Sequence, residues 1–406
     1  MKRRKMAHLI SHPIHYFAPL YRELASRPEI DLTVHFYSDA PLRGVRDEQF
    51  DRTVAWDARL LDGYAHRFAA NASSTPARAS DARPQFDVAR DVLRGGYDVV
   101  WAHGYAHATT WLAMLAAHAR GARLLIRDEQ TLLHERPPYR RFARSLALRQ
   151  LFTRSHGLYI GEENRRFMRA HGMRDDRMFA ARYCVDNAYF QERATALAPR
   201  RADVRASFGI DDDAPVVLFV GKLIDKKQPL RAIEAFASVR AALPCWLLIA
   251  GDGPLRDECE ALVARLDVPN VRFAGFLDQG EVPRAYAAAD VFVLPSNLHE
   301  TWGLVVNEAM NFALPVVVSD KVGCAADLVR PRENGVIVAA DRTGQLVDAF
   351  AALVRDAGMR RAYGARSREI VSDYSIEAAA DGIVAACTAE EARRTAWKRE
   401  ASTAGV

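Results

Sequence analysis

The sequence predicts an α/β protein made of two facing Rossmann-like domains, each with a parallel sheet, and a cleft between them. Three observations predict this. Short apolar runs alternate with helix-length amphipathic stretches along the chain, which is the pattern of parallel α/β layering. The alternation is interrupted once, over 193–215, a stretch rich in Ala and Arg that ends in Asp211-Asp212-Asp213-Ala214-Pro215. The chain has 406 residues, long for one domain and comfortable for two.

In the first half, strands are expected over 7–11, 32–37, 99–103, 124–127 and 157–161, with helices over 18–26 and 109–120 between them. In the second half, strands are expected over 216–220, 246–250, 271–274, 291–294, 316–319 and 335–338. Helices over 229–241, 255–266, 281–289 and 304–312 separate those strands. Residues 1–195 then form one domain, 196–213 a linker, and 214–374 the second domain. Helical sequence follows over 358–369 and 376–398, and 399–406 is a polar tail. The triple Asp reads as a solvated charge run in the linker.

Half of the residues are hydrophobic and 26% are charged, an ordinary soluble composition. The net charge of +5 suits anionic ligands such as nucleotide phosphates and is far from a nucleic-acid-binding profile. No stretch approaches the roughly 20 apolar residues needed to span a bilayer. The opening MKRRKMAHLISH is basic, but no apolar run of signal-peptide length follows it. The five cysteines (Cys184, Cys245, Cys259, Cys324, Cys387) show no metal spacing; they read as free thiols of a cytoplasmic protein. The segment 139–154 (YRRFARSLALRQLFTR) is basic with interleaved apolar residues, as in a membrane-surface helix. Its polar and apolar faces are not cleanly separated, so peripheral contact with the inner face of a membrane stays the minor reading. No GxxxxGK[ST], GxSxG or HExxH is present. Gly251-Asp252-Gly253-Pro254 follows the expected strand WLLIA but lacks the third glycine of a dinucleotide fingerprint; a tight turn and a ligand-facing loop explain it equally.

The most informative stretch runs from Asp290 to Met310. A buried strand ends at Pro295, at the carboxyl edge where α/β sheets bind ligands. The next helix begins near Gly303, whose missing side chain lets a ligand approach the backbone. The free amides and positive dipole end of that helix make a phosphate cradle. Glu308 lies about one turn into it, where its carboxylate can reach back to a ribose diol. Glu300 precedes the helix in a loop expected to be exposed, where it can accept hydrogen bonds from sugar hydroxyls. Two solvated surface glutamates are the plainer alternative, disfavoured by the pairing of the two around Thr301-Trp302-Gly303.

E-x7-E in this setting resembles the donor motif of retaining glycosyltransferase family four, of GT-B fold. Phe219-Val220-Gly221-Lys222-Leu223-Ile224-Asp225-Lys226-Lys227 resembles that family's V-G-R-L-x-x-x-K-G segment. Ile249-Ala250-Gly251-Asp252-Gly253-Pro254 resembles its G-D-G-P turn, and Phe273-Ala274-Gly275-Phe276-Leu277 its segment near the base. Leu314-Pro315-Val316-Val317 and Glu333-Asn334-Gly335 match further elements, so the resemblance covers most of 216–375. It departs at Lys222 (usually Arg), Gln228 and Ala313 (both usually Gly). Lysine keeps the charge but loses the bidentate fork.

The resemblance implies a hexosyltransferase-type enzyme that moves a sugar from a nucleoside-diphosphate-sugar to an acceptor hydroxyl of a glycan or glycolipid with retention of configuration. It implies Lys222, Lys227, Glu300 and His103 as catalytic residues. It implies Glu308, Gly303, Leu304, Trp302, Gly221, Gly251, Gly253 and Phe276 as donor-binding residues. His103, at the end of Tyr97-Asp98-Val99-Val100-Trp101-Ala102-His103, matches the family's D-V-x-x-x-H element, whose histidine meets the donor sugar. His12 and His15, in the loop Ser11–Pro19, and Arg127, at the end of another strand, are acceptor-side candidates. The stretch Trp56–Tyr64 has the aromatic and acidic residues that suit sugar stacking, though packing explains it better. No cofactor and no metal are expected, because lysines and a helix terminus can stabilise the departing diphosphate. The C-terminal helix, about 375–398, is expected to cross back onto the first domain. By association, the family suggests polysaccharide or glycolipid biosynthesis. The alternatives are a GT-B-fold sugar-nucleotide epimerase and a non-catalytic nucleotide-sugar-binding protein; the donor sugar, base, acceptor, linkage, oligomeric state and any general base are not fixed by these residues.

Overall fold

The structure, a computed structural model, describes residues 3–39, 42, 45–47, 52–54, 58–70, 84–133, 138–298 and 300–403. The strands of the first half are β1 (Arg4–Ile10), β2 (Ile30–Phe36), the antiparallel pair β3 (Val45–Asp47) and β4 (Arg52–Val54), β5 (Ala65–Phe68), β6 (Val99–His103), β7 (Arg123–Arg127), β8 (His156–Tyr159) and β9 (Met178–Ala180). Seven of them form a parallel sheet in the order β5-β2-β1-β6-β7-β8-β9. The strands of the second half are β10 (Val216–Val220), β11 (Trp246–Ala250), β12 (Val271–Gly275), β13 (Val291–Leu294), β14 (Val316–Ser319) and β15 (Gly335–Val338). These form a second parallel sheet, β12-β11-β10-β13-β14-β15. The fold is thus two parallel α/β units. Runs such as VVLFV in β10 and VFVL in β13 are buried along their whole length, because helices cover both faces of each sheet.

Each strand order reverses once. In the first sheet the chain works outward from β1 through β2 to β5, then restarts at β6 on the other side of β1. In the second the same reversal falls between β10 and β13. At such a switch point the two following loops leave in opposite directions and open a crevice at the carboxyl edge. The crevices lie beside Ser11–Pro19 and His103 in one unit, and beside Gly221–Lys227 and Pro295–Gly303 in the other.

The segment read as a linker is mostly helical. Asn187–Leu197 and Arg201–Ser207 are α-helices joined by a 3-10 turn at Ala198–Arg200. Arg201 and Arg205 both bind the Asp290 carboxylate and carbonyls of Ala287–Ala289, which fixes the second of these helices to the second sheet unit. Its Ala- and Arg-rich composition is that of a good helix former. Asp212, within the triple Asp, accepts hydrogen bonds from Trp246 Nε1 at 2.7 Å and from the Ala214 amide at 2.9 Å, so this residue serves packing. The last helix, Ile376–Thr403, lies on the first unit. Arg123 donates to the carbonyls of Ala386 and Cys387, and Arg27 pairs with Asp381 at 3.0 Å.

The two positions where the family carries Gly, Gln228 and Ala313, have φ of 56° and 54°. The chain keeps the left-handed turn and pays the steric cost of a side chain in it. All five cysteines are buried and unpaired. Among the described residues no helix is long and apolar enough to cross a membrane. In the helix Pro138–Phe152, Leu148, Leu151 and Phe152 are buried in the first unit, so its apolar residues there serve the core. Trp56 and Asp57 of the aromatic stretch lie outside the described residues; Tyr64 at its end is 9% exposed and donates to the Leu60 carbonyl, as packing requires.

Candidate active site

On the second-unit edge, β10 hands over to Gly221 and the lysine loop. Gly221, Gly251 and Gly253 have φ of 155°, 145° and 153°. A Cβ on Gly251 would run into the Gly221 carbonyl, and one on Gly253 would stand 2.7 Å from the Leu223 carbonyl oxygen. Gly251 and Gly253 therefore let two edge loops pack together, as a tight turn requires. Phe276, half-buried, sits on the loop after β12.

A 3-10 turn at Asp225–Lys227 folds Lys227 back into an ion pair with Glu300. Ser296, at the end of β13, donates to the same Glu300 oxygen at 3.2 Å. Glu300 is therefore not in an exposed loop: it is 7% exposed, and its backbone bridges to Val322. The correction has a simple cause. The strand exit at Pro295 is short, and the loop returns under the lysines instead of projecting outward. Lys226 stands within electrostatic reach of Glu300, Lys227, Glu129 and Lys222; burial lowers its pKa, with Glu300 opposing. Three lysines and two carboxylates thus share one place between the units.

Gly303 caps the helix Leu304–Asn311 at φ 97°. A Cβ there would stand 2.9 Å from Leu294 and 3.2 Å from Val322, so Gly is required by packing as well as conformation. Leu304 is half-buried against the core. Trp302 is not a donor-facing side chain. It is 2% exposed, donates from Nε1 to Asn307 at 2.8 Å, and packs beside Gly161, Tyr183 and Tyr374. Large and apolar, it fills the seam between the units.

Glu308 is also not at a solvent-lined surface. It is 3% exposed. Tyr286, from the helix Val282–Ala288, donates to one oxygen at 2.7 Å; Tyr16, from the first unit, donates to the other at 2.8 Å. Burial raises the Glu308 pKa to about 7, and the hydrogen bonds from Tyr286 and Tyr16 limit the rise.

The first-unit edge faces this place. His103 ends β6 and Arg127 ends β7, paired in register. His103 Nε2 lies 3.6 Å from Glu129 Oε1; burial lowers its pKa and the Glu129 carboxylate opposes this. Burial pushes the Glu129 carboxyl up, but His103, Tyr183 and Arg127 outweigh it and hold the pKa near about 2. Tyr183 donates to Glu129 Oε1 at 2.6 Å, and Thr301 of the second unit reaches Oε2 at 3.5 Å. Arg127 is 1% exposed, not an open acceptor surface, with its guanidinium 5.0 Å from the rings of both Phe17 and Tyr183. His12 bonds Ser11 at 2.9 Å. The His15 ring lies tilted against Tyr16, with centroids 3.9 Å apart, and burial lowers its pKa to about 4.

The structure therefore brings Lys222, Lys227, Glu300 and His103 to one cleft, and sets Trp302, Gly251 and Gly253 behind it as packing. It adds Lys226, Glu129, Tyr16, Tyr286 and Tyr183. Lys226 and Tyr16 lay in segments already singled out, though not themselves marked, and Glu129 stands two residues after Arg127; Tyr286 and Tyr183 carried no signal, because nothing in their neighbourhoods tells which face of a helix or turn meets a carboxylate.

The paired α/β units with facing switch points define the GT-B class. Two solved structures match across the whole chain and show the same fold. One is a glycosyltransferase from Rickettsia africae, at TM-score 0.73, 12% identity, covering 96% of this chain and 98% of that one. The other is Anabaena HepE in complex with UDP, at TM-score 0.72, 17% identity, covering 95% and 100%. Residues 200–370 match the model of the family "Glycosyl transferases group 1", so the second unit is similar in sequence to that family. Alpha-D-kanosaminyltransferase of Streptomyces kanamyceticus is 34% identical over 185 residues, 45% of this chain and 47% of that protein. The chain spans about half the length of the curated relatives it matches.

Proposed function

We propose that this protein transfers a sugar from a nucleoside-diphosphate-sugar to a hydroxyl of a glycan or glycolipid acceptor, with retention of configuration and without a metal. The observation that carries the reading is the cluster of Lys222, Lys226 and Lys227 with Glu300 at the second sheet's switch point, facing His103 across the cleft. Breaking the bond to the anomeric carbon puts negative charge on the departing diphosphate. Preorganised ammonium groups in a water-poor cleft stabilise that charge. The attacking acceptor hydroxyl passes its proton to the departing phosphate oxygen on the same face, so no separate base is required. The family match and the UDP complex of a similar fold support a nucleotide-sugar donor. The buried free thiols fit a reducing, cytoplasmic setting; contact with the inner membrane face would come through the acceptor.

The test is a thermal-shift screen of nucleoside diphosphates and nucleotide sugars. Binding to the native state raises apparent stability with the logarithm of ligand over dissociation constant. A shift by one nucleotide diphosphate and its sugar supports the reading, and none by any would overturn it. Conversion of a nucleotide sugar without acceptor would indicate the epimerase instead. Turnover in excess EDTA should match the untreated rate; abolition with rescue by magnesium would refute the lysine account.

A further inference from the structure

Among the described residues two arginines are buried, and they are treated in opposite ways. Arg205, 4% exposed, bonds the Asp290 carboxylate through Nη2, the Ala288 carbonyl through Nε, and the carbonyls of Asp212 and Ala214 through Nη1. Arg127, 1% exposed, has no hydrogen-bond partner at Nε or Nη1. A guanidinium has five N–H donors, and leaving the three on Nε and Nη1 unmet in the interior is costly. The neighbouring acids do not meet them. Asp128 accepts from Asn164 and Tyr105. Glu129 spends one oxygen on Tyr183 and His103 and turns the other to Thr301. What does hold Arg127 is the pair of rings, Phe17 and Tyr183, each 5.0 Å from the guanidinium carbon. The ring centroids are 5.9 Å apart, so both rings lie to one side of the guanidinium, and the N–H groups at Nε and Nη1 stay unspent.

We infer that Arg127 is the anion-binding side chain of a subsite in the first unit, built for a phosphate or carboxylate carried by the acceptor. A buried guanidinium with unmet N–H groups takes an oxyanion through charge-assisted hydrogen bonds. The place is the carboxyl end of β7, beside His103 and Glu129, whose side chains are 13% and 32% exposed and open the position to the cleft. Access runs past Phe17, which ends the loop whose Tyr16 is tied to Glu308. The assignment of the anion to the acceptor rests on the transferase reading; the anion site itself does not.

The experiment uses inorganic phosphate as probe, titrated by calorimetry and thermal shift into the wild type, Arg127→Met, Arg127→Lys and Lys227→Ala, each alone and with saturating UDP or GDP. The wild type should bind phosphate about tenfold or more tightly than Arg127→Met, as expected for a lost charge-assisted contact. Arg127→Lys should also be weakened, because an ammonium has no fork. With saturating nucleotide filling the lysine cluster, Lys227→Ala should bind phosphate as the wild type does, and phosphate and nucleotide should bind together. Without anion, Arg127→Met should be at least as stable as the wild type; a clear loss of stability would mark the residue as a structural cation and overturn the inference. Equal phosphate affinity in wild type and Arg127→Met, or competition between phosphate and nucleotide, would overturn it too. Should Arg127→Met not fold, the comparison with Arg127→Lys decides alone: equal affinity sinks the subsite. Nucleotide binding read in the same samples keeps the two readings separate, since its absence in the wild type counts against the transferase and not against Arg127.

Discussion

The two strand edges that face each other across the cleft hold their charges differently. On the second unit, Lys227 and Glu300 are paired with each other beside Lys226 and Lys222, so an incoming diphosphate finds cations already in place and can exchange for a carboxylate. On the first unit, Arg127 lies beside two aromatic rings and Tyr16 caps a carboxylate that belongs to the other unit. On the transferase reading, the contrast teaches that the lysine side is preorganised for the donor, whereas the opposite side would first have to release Tyr16 from Glu308. Catalytic charge stabilisation should therefore reside in the second unit, and control of access in the first.

The largest effect that would test this division is at Lys227. Lys227→Ala removes one preorganised donor to the departing diphosphate and leaves Glu300 buried without its ammonium partner. Turnover should fall roughly 100- to 1,000-fold, and calorimetric affinity for the nucleotide diphosphate should change much less. An equal loss in both would move Lys227 from transition-state stabilisation to ground-state binding.

A smaller effect separates the two glutamates. If Glu308 holds the ribose, Glu308→Gln should weaken the nucleotide diphosphate by about tenfold, the value of one charge-assisted hydrogen bond. Glu300→Gln should spare that affinity while turnover falls; equal losses would refute the division. The pKa of Glu308 adds a second readout. Its folded value of about 7 lies above the ordinary glutamate value. Below roughly pH 4 both folded and unfolded states are neutral there. As pH rises toward 7 the unfolded chain ionises first, so stability contributed at this position falls through that window, by roughly 3 kcal/mol in all, and stays low above it. Glu308→Gln should flatten this part of the stability–pH curve, measured by urea unfolding from pH 4 to 8. A curve identical to wild type would show that Glu308 is not the titrating group.

The second unit was largely legible in the sequence because its strands are continuous apolar runs and its loops carry motif residues at fixed spacing. β10, β11 and β13 fall where the runs place them. What spacing could not tell was depth: Glu300 was expected in an exposed loop, and both it and Glu308 are buried beneath partners supplied from elsewhere, Lys227, Tyr16 and Tyr286. Trp302 is a donor-binding residue by family resemblance, and in three dimensions its side chain fills the seam, because its contacts Tyr183 and Gly161 lie far away along the chain. The stretch over 193–215 was read as a linker from composition, and the same Ala and Arg residues build helices once Asp290 is there to hold them. In the first unit no motif announced Glu129 or Tyr16; their roles arise only when two sheets meet.

The smallest effect is expected at Tyr16, and its sign is what matters. Its hydroxyl donates to Glu308 at 2.8 Å, on the carboxylate that the ribose diol would need. Nucleotide binding must then break this bond before making its own. Tyr16→Phe removes the competitor and should strengthen nucleotide diphosphate binding by about threefold, less than the worth of a full hydrogen bond because Phe cannot stabilise the ionised carboxylate. That second consequence works in the opposite direction. Without Tyr16 the Glu308 pKa rises further above about 7, since the hydrogen bond from Tyr16 holds it down. The gain should therefore appear at pH 8.5, where the carboxylate is ionised in both proteins, and shrink or reverse at pH 6.5. Calorimetric titration of wild type and Tyr16→Phe at the two pH values reads both effects. Weaker binding by Tyr16→Phe at pH 8.5 would mean that Tyr16 helps to build the donor site, and the first unit would then be part of the preorganised machinery instead of its gate.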